Sequence, residues 1–278
     1  MARRHSEIPP RTRSRVSTEG VVDGSGVHDE SADHIHGSDA TWQNQHVVAQ
    51  DVGARRTRSE PPPSRFEMPD PALAEPGDDM IAVGADLEPG TLLAAYRTGL
   101  FPMPVDPRRR KSNIAWFSPD PRGVLPLDGL HVSRSLQRSR RRFDARIDTS
   151  FEAVMRACGD PKREGRWITE PFVEAYLDLF ERGWAHSFEI FSDEQLVGGL
   201  YGLRIGGLFA GEAMFHHATD ASKAALVECV AWLNDTGATL FDVQWSTPHL
   251  ASLGVEEIPR LEYLGRLTEA VDVEPRSG

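Results

Sequence analysis

The chain has 278 residues, with 31 Lys+Arg against 42 Asp+Glu and a formal net charge of -11. An acidic balance of that size disfavours indiscriminate binding to polyanions and suits a cationic substrate. Two cysteines support neither a disulfide framework nor a metal site, and no run of 18 apolar residues offers a membrane span.

Residues 1–64 hold eight Arg, nine Asp+Glu and five of the ten His. Their apolar residues occur singly or in pairs such as Val21-Val22 and Val47-Val48, without helical or strand period. Such a stretch cannot bury enough apolar area to offset its ordering entropy. Residues 1–65 are therefore expected to be a disordered tail and linker, dispensable for any chemistry. A small N-terminal domain is expected over 66–120 and a larger one over 121–272. Arg3-Arg4 run into His-Ser-Glu-Ile-Pro-Pro and not into an apolar segment, so no signal peptide is expected and a cytoplasmic location follows.

"PGTLLAAYRTGLFPMP" predicts a helix with Leu92, Leu93 and Tyr96 on one face and Gly99 as its stop, followed by irregular, proline-bearing chain. "RRRKSNIAWFSPDPRGVLP" reads as turns that hold Trp116 and Phe117 in aromatic loops. From about residue 120 the pattern becomes α/β. "DARIDTS" reads as a strand. Thr149 and Glu152 read as a capping box ahead of the stripe Phe151, Val154, Met155 and Cys158. Thr169 reads as the cap of a second helix, with Pro171 in its first turn and Gly183 past its end. "AHSFEIF" alternates as a strand, and "LVGGLYGLRIGGLFAGEAMF" reads as a hairpin turning at Gly206-Gly207. "ASKAALVECVAWLNDTG" is a helix and "TLFDVQW" a strand.

Between Ser133 and Phe143 stand five arginines and no acid. On a helix capped by Ser133, residues Arg134, Arg138, Arg141 and Arg142 recur at spacings of three and four, while Leu136 lies off that face. A solvated helix face gives such a pattern. So does a handle for phosphates, which planar bidentate guanidinium groups suit.

Three polar residues sit in otherwise apolar strands. Asp242 and Gln244 fall on one face of a strand, about 6.6–6.8 Å apart, and Glu212 lies in "FAGEAMF". Each is costly to bury unless partnered or used. His216 and His217, being adjacent, point to opposite faces and cannot chelate together. No zinc-protease, paired C-x-x-C or Walker pattern occurs. Trp167, Tyr176 and Phe209 read as core residues on these grounds.

The blocks "LLAAYRTGLFPMP", "WFSPDPRGVL", "HVSRSLQRS", "RWITEPFVEAY", "LVGGLYGLRIGGLFAGEAMF", "FDVQ", "HLASLG" and "IPRLEYL", in that order, resemble the leucyl/phenylalanyl-tRNA–protein transferase family over roughly residues 66–267. The resemblance implies a mixed α/β (α+β) fold with a small N-terminal domain and an acyltransferase domain like that of the GNAT enzymes. It implies transfer of Leu or Phe from Leu-tRNA or Phe-tRNA to proteins with N-terminal Lys or Arg, feeding bacterial N-end rule degradation. Asp242 and Gln244 match the family's Asp-x-Gln, and Glu212 matches the Glu of its Gly-Glu-Ser-Met-Phe block. Trp167, Tyr176, Leu200, Phe209 and Phe241 fall on its pocket for the Leu or Phe side chain and the tRNA end. Met103 stands where the family usually has Trp, Ala213 where it has Ser, and Val243 where it has Cys. The arginine helix becomes the tRNA contact, with Gln137 in a commonly basic place. No cofactor and no metal are implied.

Gln244, oriented by Asp242, is then expected to accept a hydrogen bond from the attacking amine, with Glu212 holding the aminoacyl end or polarising the site. Two rival readings are an acyl-CoA-dependent N-acyltransferase, opposed by the lack of a recognisable phosphate loop, and a non-catalytic RNA-binding module, which leaves the Asp-x-Gln strand unexplained.

Overall fold

A computed structural model describes residues 56–109, 112–163 and 167–274; the expected tail over 1–55 lies outside them. The first sheet is small. It consists of β1 (Met80–Val83), β2 (Phe101–Pro104) and β3 (Ile114–Phe117) in the antiparallel order β1-β3-β2. Helix α1 (Pro89–Arg97) lies between β1 and β2 in sequence, buries Leu92, Leu93 and Tyr96 as their spacing predicts, and gives way to Gly99 at φ +86°. The irregular chain and aromatic loops expected after Phe101 are instead paired strands, Phe101 opposite Phe117 and Met103 opposite Ala115. Pro102 and Pro104 are tolerated because β2 is an edge strand, where a missing N–H breaks no inner ladder.

The larger sheet has seven strands in the order β10-β4-β9-β8-β7-β6-β5. These are β4 (Arg122–Val124), β5 (Asp144–Ile147), β6 (Ala185–Ser192), β7 (Gln195–Ile205), β8 (Leu208–His216), β9 (Leu240–Gln244) and β10 (Glu256–Ile258). Every pairing is antiparallel except that of β8 with β9, which α5 (Ala221–Asp235) joins as a crossover. The β7–β8 hairpin turns at Gly206-Gly207, as its sequence indicates.

Alternation along the strands divides the core in two. One cluster faces α1, α3 (Phe151–Cys158), α4 (Glu170–Glu181) and α7 (Arg260–Val271) and includes Tyr176, Tyr201 and Leu203. The other faces α5 and includes Leu200, Phe209 and Phe241. The stripe Phe151, Val154, Met155 and Cys158 is buried as predicted. Its cap is not the expected Thr149–Glu152 box. The chain turns at Asp148 (φ +60°) so that the Thr149 and Ser150 amides donate to the buried Glu189 carboxylate of β6, at 3.4 and 3.2 Å.

Residues 56–65, assigned to the linker by composition, lie against the body. The Arg58 guanidinium donates to the Gly183 and Arg204 carbonyls and sits over Trp184, whose indole N–H donates to the Ser59 carbonyl at 2.9 Å. Arg56 covers the Phe180 ring at 3.7 Å. Few of these contacts are apolar, which is why hydrophobic periodicity gave no sign of them. Two short helices, α2 (Arg134–Arg140) and α6 (Pro248–Ser252), complete the fold. No helix among the described residues is long and apolar enough to cross a membrane.

Candidate active site

Strands β8 and β9 pair in register from Leu208 opposite Leu240 to Ala210 opposite Asp242. Beyond that pair the ladder stops, and the next polar residues on each strand, Glu212 and Gln244, meet through side chains. The Gln244 amide Nε2 donates to Glu212 Oε1 at 3.3 Å. Gln244 is buried and occupies the left-handed region at φ +62°, where a non-glycine residue is held only by its surroundings.

What holds it is Asp242. Its Oδ1 accepts the Gln244 backbone N–H at 2.9 Å. The same fully buried carboxylate takes two donors from Arg122, Nε at 2.8 Å and Nη2 at 2.6 Å, and the Tyr263 hydroxyl at 2.9 Å. Arg122 is itself buried, donates to the Gly99 carbonyl at 3.1 Å and lies over the Tyr263 ring. Burial works against its charge, but the Asp242 carboxylate more than restores it and holds its pKa above the ordinary value. The side chains of Asp242 and Gln244, expected together on one strand face, thus take separate partners. The left-handed turn at Gln244 ends the alternation, and the two residues communicate through backbone.

Glu212 receives two further donors. Tyr96 Oη donates to Oε1 at 2.7 Å and Tyr176 Oη to Oε2 at 3.1 Å, while the two hydroxyl oxygens lie 2.5 Å apart. Two phenolic hydrogens serve three short contacts, so the set is one proton short when Glu212 is ionised. Burial lifts the Glu212 carboxyl from 4.5 to about 7, Asp242 adds to the lift, and the two tyrosines oppose it. Burial also raises both phenols well above their ordinary range, so they stay protonated donors.

The remaining residues singled out by sequence divide between the two faces of the sheet. Tyr176 touches Glu212, and Met103 and Trp167 belong to the same side, Met103 from β2 and Trp167 edge-on against Phe172. Leu200, Phe209 and Phe241 lie on the α5 side, the two phenylalanine rings meeting edge to face at 5.2 Å. A side-chain carbon at Gly211, the residue before Glu212, would come within 2.8 Å of the Phe241 ring. The Phe241 ring therefore lies against the β8 backbone beside Glu212.

In the arginine helix, Ser133 caps α2 by accepting the Leu136 N–H at 3.2 Å, and Leu136 is the buried anchor. The helix ends at Arg140, which pairs with Glu228 of α5 at 2.6 Å, so Arg141 and Arg142 lie in the turn that follows. Arg134, Arg138, Arg141 and Arg142 are exposed, and among the described residues none of them pairs with an acid. They touch none of the residues around Glu212.

Residues 124–268 match the sequence profile of the family described as leucyl/phenylalanyl-tRNA protein transferase, and residues 85–120 match that of its N-terminal domain. A leucyl/phenylalanyl-tRNA–protein transferase from Anaeromyxobacter dehalogenans (strain 2CP-C) is 48% identical over 215 residues, 76% of this chain and 90% of the relative. The chain belongs to the leucyl/phenylalanyl-tRNA–protein transferase family, a family of aminoacyltransferases. A second member, from Tolumonas auensis, is 46% identical over 210 residues, covering 73% of this chain and 87% of its own. Among solved structures, a GCN5-related N-acetyltransferase-like protein from Streptococcus suis aligns with a TM-score of 0.30 at 17% identity, over 49% of this chain and 57% of that one.

The sequence singled out Asp242, Gln244 and Glu212, which the structure brings together, but not their partners Arg122, Tyr96 and Tyr263. Arg122 lies inside the quoted "SPDPRGVL", and Tyr96 was placed on the buried face of its helix. Nothing local links either to a carboxylate more than a hundred residues away. The usable signal was the polar tip on each otherwise buried position, since a buried Arg or Tyr needs a partner.

Proposed function

We propose that this chain transfers Leu or Phe from aminoacyl-tRNA to the N-terminal α-amine of proteins that begin with Lys or Arg, in the cytoplasm and ahead of N-end rule degradation. The amine nitrogen forms a bond to the ester carbonyl carbon, the bond to the ribose oxygen breaks, and the amine's proton leaves with the ribose hydroxyl. An N-terminal amine titrates near about 7.7–8.0, so a useful neutral fraction exists at neutral pH. The protein's task is mainly to position two reactants in a dry site.

The observation that carries this reading is the orientation of the Gln244 amide. Glu212 can only accept from it when ionised, so Nε2 faces Glu212 and Oε1 is left to accept an N–H from the attacking amine. Asp242 acts from behind, by fixing the Gln244 backbone. In this reading Leu200, Phe209 and Phe241 receive the apolar donor side chain; all three are buried on the α5 face of the sheet, so the rings shift to admit it. Tyr176, Trp167 and Met103 line the approach from the other side, in an acyltransferase domain of GNAT type. The exposed, acid-free arginines of α2 and the turn after it supply contacts for tRNA phosphates. Transfer of labelled Leu from Leu-tRNA to a peptide beginning with Arg tests the reading. Absence of transfer, or acyl transfer from acyl-CoA in its place, would overturn it.

A further inference from the structure

Trp245, the residue after Gln244, leaves the strand and crosses to the small sheet. Its ring meets Phe101 edge-on at 4.9 Å and Phe117 at 5.7 Å, which face each other across β2 and β3. Period two along β2 puts Met103 on the same face as Phe101. Another neighbour of Phe101 is the Arg122 guanidinium, 5.0 Å from its ring centre, so Trp245 stands beside the Arg122–Asp242 pair, and 36% of it is exposed. Its indole N–H donates to Asp79 Oδ2 at 3.3 Å. Asp79 Oδ1 accepts the Asp120 backbone N–H at 3.1 Å, and among the described residues no Lys, Arg or His makes an ion pair with Asp79.

An aromatic plate with a carboxylate on its N–H, one residue from the amide that receives the amine, is a place for a cation. We propose that Trp245 and Asp79 form the subsite for the basic side chain of the acceptor's first residue, a deepening that rests on the transfer reaction proposed above. The α-amine and the side chain of that residue leave the same carbon. With the amine at Gln244 Oε1, the flexible stem of Lys or Arg lies along the neighbouring Trp245 ring, as amphipathic stems lie on apolar surface. The charged head then meets the ring face and the Asp79 carboxylate. Hydrogen bonding of the indole to a carboxylate enriches the ring's electron density and strengthens its hold on a cation. The same carboxylate disfavours the phosphates that accompany a stacked nucleobase, so a cation is the better fit.

The test is steady-state transfer of labelled Leu to three peptides that differ only at the first residue: Arg, Lys, and citrulline as the uncharged counterpart of Arg. The wild-type protein is expected to favour Arg over citrulline. Asp79→Asn and Trp245→Leu should each cut that preference by about three- to tenfold through the acceptor KM, with Trp245→Phe retaining most of it. The KM for Leu-tRNA should stay within twofold in Asp79→Asn. Thermal unfolding of each variant identifies any that fail to fold, and Asp79→Asn, which keeps the acceptor oxygen for the Asp120 amide, is the conservative arm. An unchanged Arg-to-citrulline ratio in folded Asp79→Asn and Trp245→Leu overturns the subsite while leaving the transfer reaction standing. So does a rise confined to the Leu-tRNA KM, which would make the ring a nucleobase platform. No transfer by the wild-type protein to any peptide overturns the reaction itself.

Discussion

Asp242 holds Gln244 by its backbone N–H, at 2.9 Å, and leaves the side-chain amide to Glu212. Its other contacts, two guanidinium donors and a phenol, tie up both oxygens. Four donors of the protein itself fill its acceptor sites, so none is left for a substrate. Its role is to fix a strained backbone, and through it the direction of the amide.

Arg122 should therefore matter to transfer without touching either substrate. Arg122→Met leaves Asp242 buried and unpaired, which should cost about 3–5 kcal/mol. Adding Asp242→Leu removes the lone charge and should restore much of that stability. Transfer should not return, because the Gln244 N–H has lost its acceptor and the left-handed turn its reason. Denaturant unfolding and single-turnover transfer on the same variants separate the two effects. Recovery of transfer in the double variant would mean that the Arg122–Asp242 pair serves the fold alone.

Glu212 sets a pH dependence whose sign follows from its lift to about 7. Only the ionised carboxylate compels the Gln244 amide to present Oε1, so kcat should rise through about pH 7 and then level. Glu212→Gln should remove that limb and leave the titration of the acceptor amine, near about 8. Stability runs the other way. The folded protein keeps this proton longer than the unfolded chain, so the contribution is complete below 4.5 and is lost as pH climbs through about 7. Melting temperatures from pH 4.5 to 8 should show that decline in the wild type and a shallower one in Glu212→Gln.

How much of this was legible in the sequence depends on distance along the chain. The stripe from Phe151 to Cys158, the Gly206-Gly207 hairpin and the Ser133 cap are local patterns, and each stands where its residues place it. Asp242, Glu212 and Gln244 stood out as polar residues in apolar strands. Their partners Arg122 and Tyr96 did not, because Arg122 reaches Asp242 through the β4–β9 pairing and Tyr96 reaches Glu212 from a separate helix. Strand β2 was hidden by its prolines, which are tolerated only at an edge. The cap of α3 comes from Glu189 on a neighbouring strand, and no Ser/Thr-x-x-Glu pattern could have indicated it.

The arginine helix separates a phosphate contact from a solvated face by salt. Arg138→Ala with Arg141→Ala should weaken tRNA binding and reduce the log–log salt slope by about 0.7–0.9 for each lost contact. Arg140 is paired with Glu228, so its replacement should lower melting temperature more than the slope. Filter binding across a salt series, with equal slopes for wild type and the Arg138/Arg141 double variant, would return these residues to the solvated face.

The segment 56–65 offers the last test. By composition a chain starting at residue 66 should fold and transfer Leu as the full-length protein does. The structure changes that expectation. Arg56 and Arg58 cover the rings of Phe180 and Trp184, Glu60 pairs with Arg97 at 2.9 Å, and Ser64 bonds Thr91 at 3.2 Å. The backbone passes so close to α1 that a side-chain carbon at Gly90 would lie 2.0 Å from the Pro62 carbonyl oxygen. Removing the segment uncovers two aromatic faces and frees the Trp184 N–H, at an expected cost of about 2–3 kcal/mol, or roughly 5–10 °C in melting temperature. A chain starting at Arg56 should melt with the full-length protein. Gly90→Ala in the full-length chain should act like the deletion, because it pushes the segment away without shortening anything. Transfer per folded molecule should change little in any of the three, since the segment touches none of Glu212, Asp242 and Gln244. Equal melting of the chains starting at 56 and 66 would mean that these contacts add nothing to stability and that the composition-based boundary was correct.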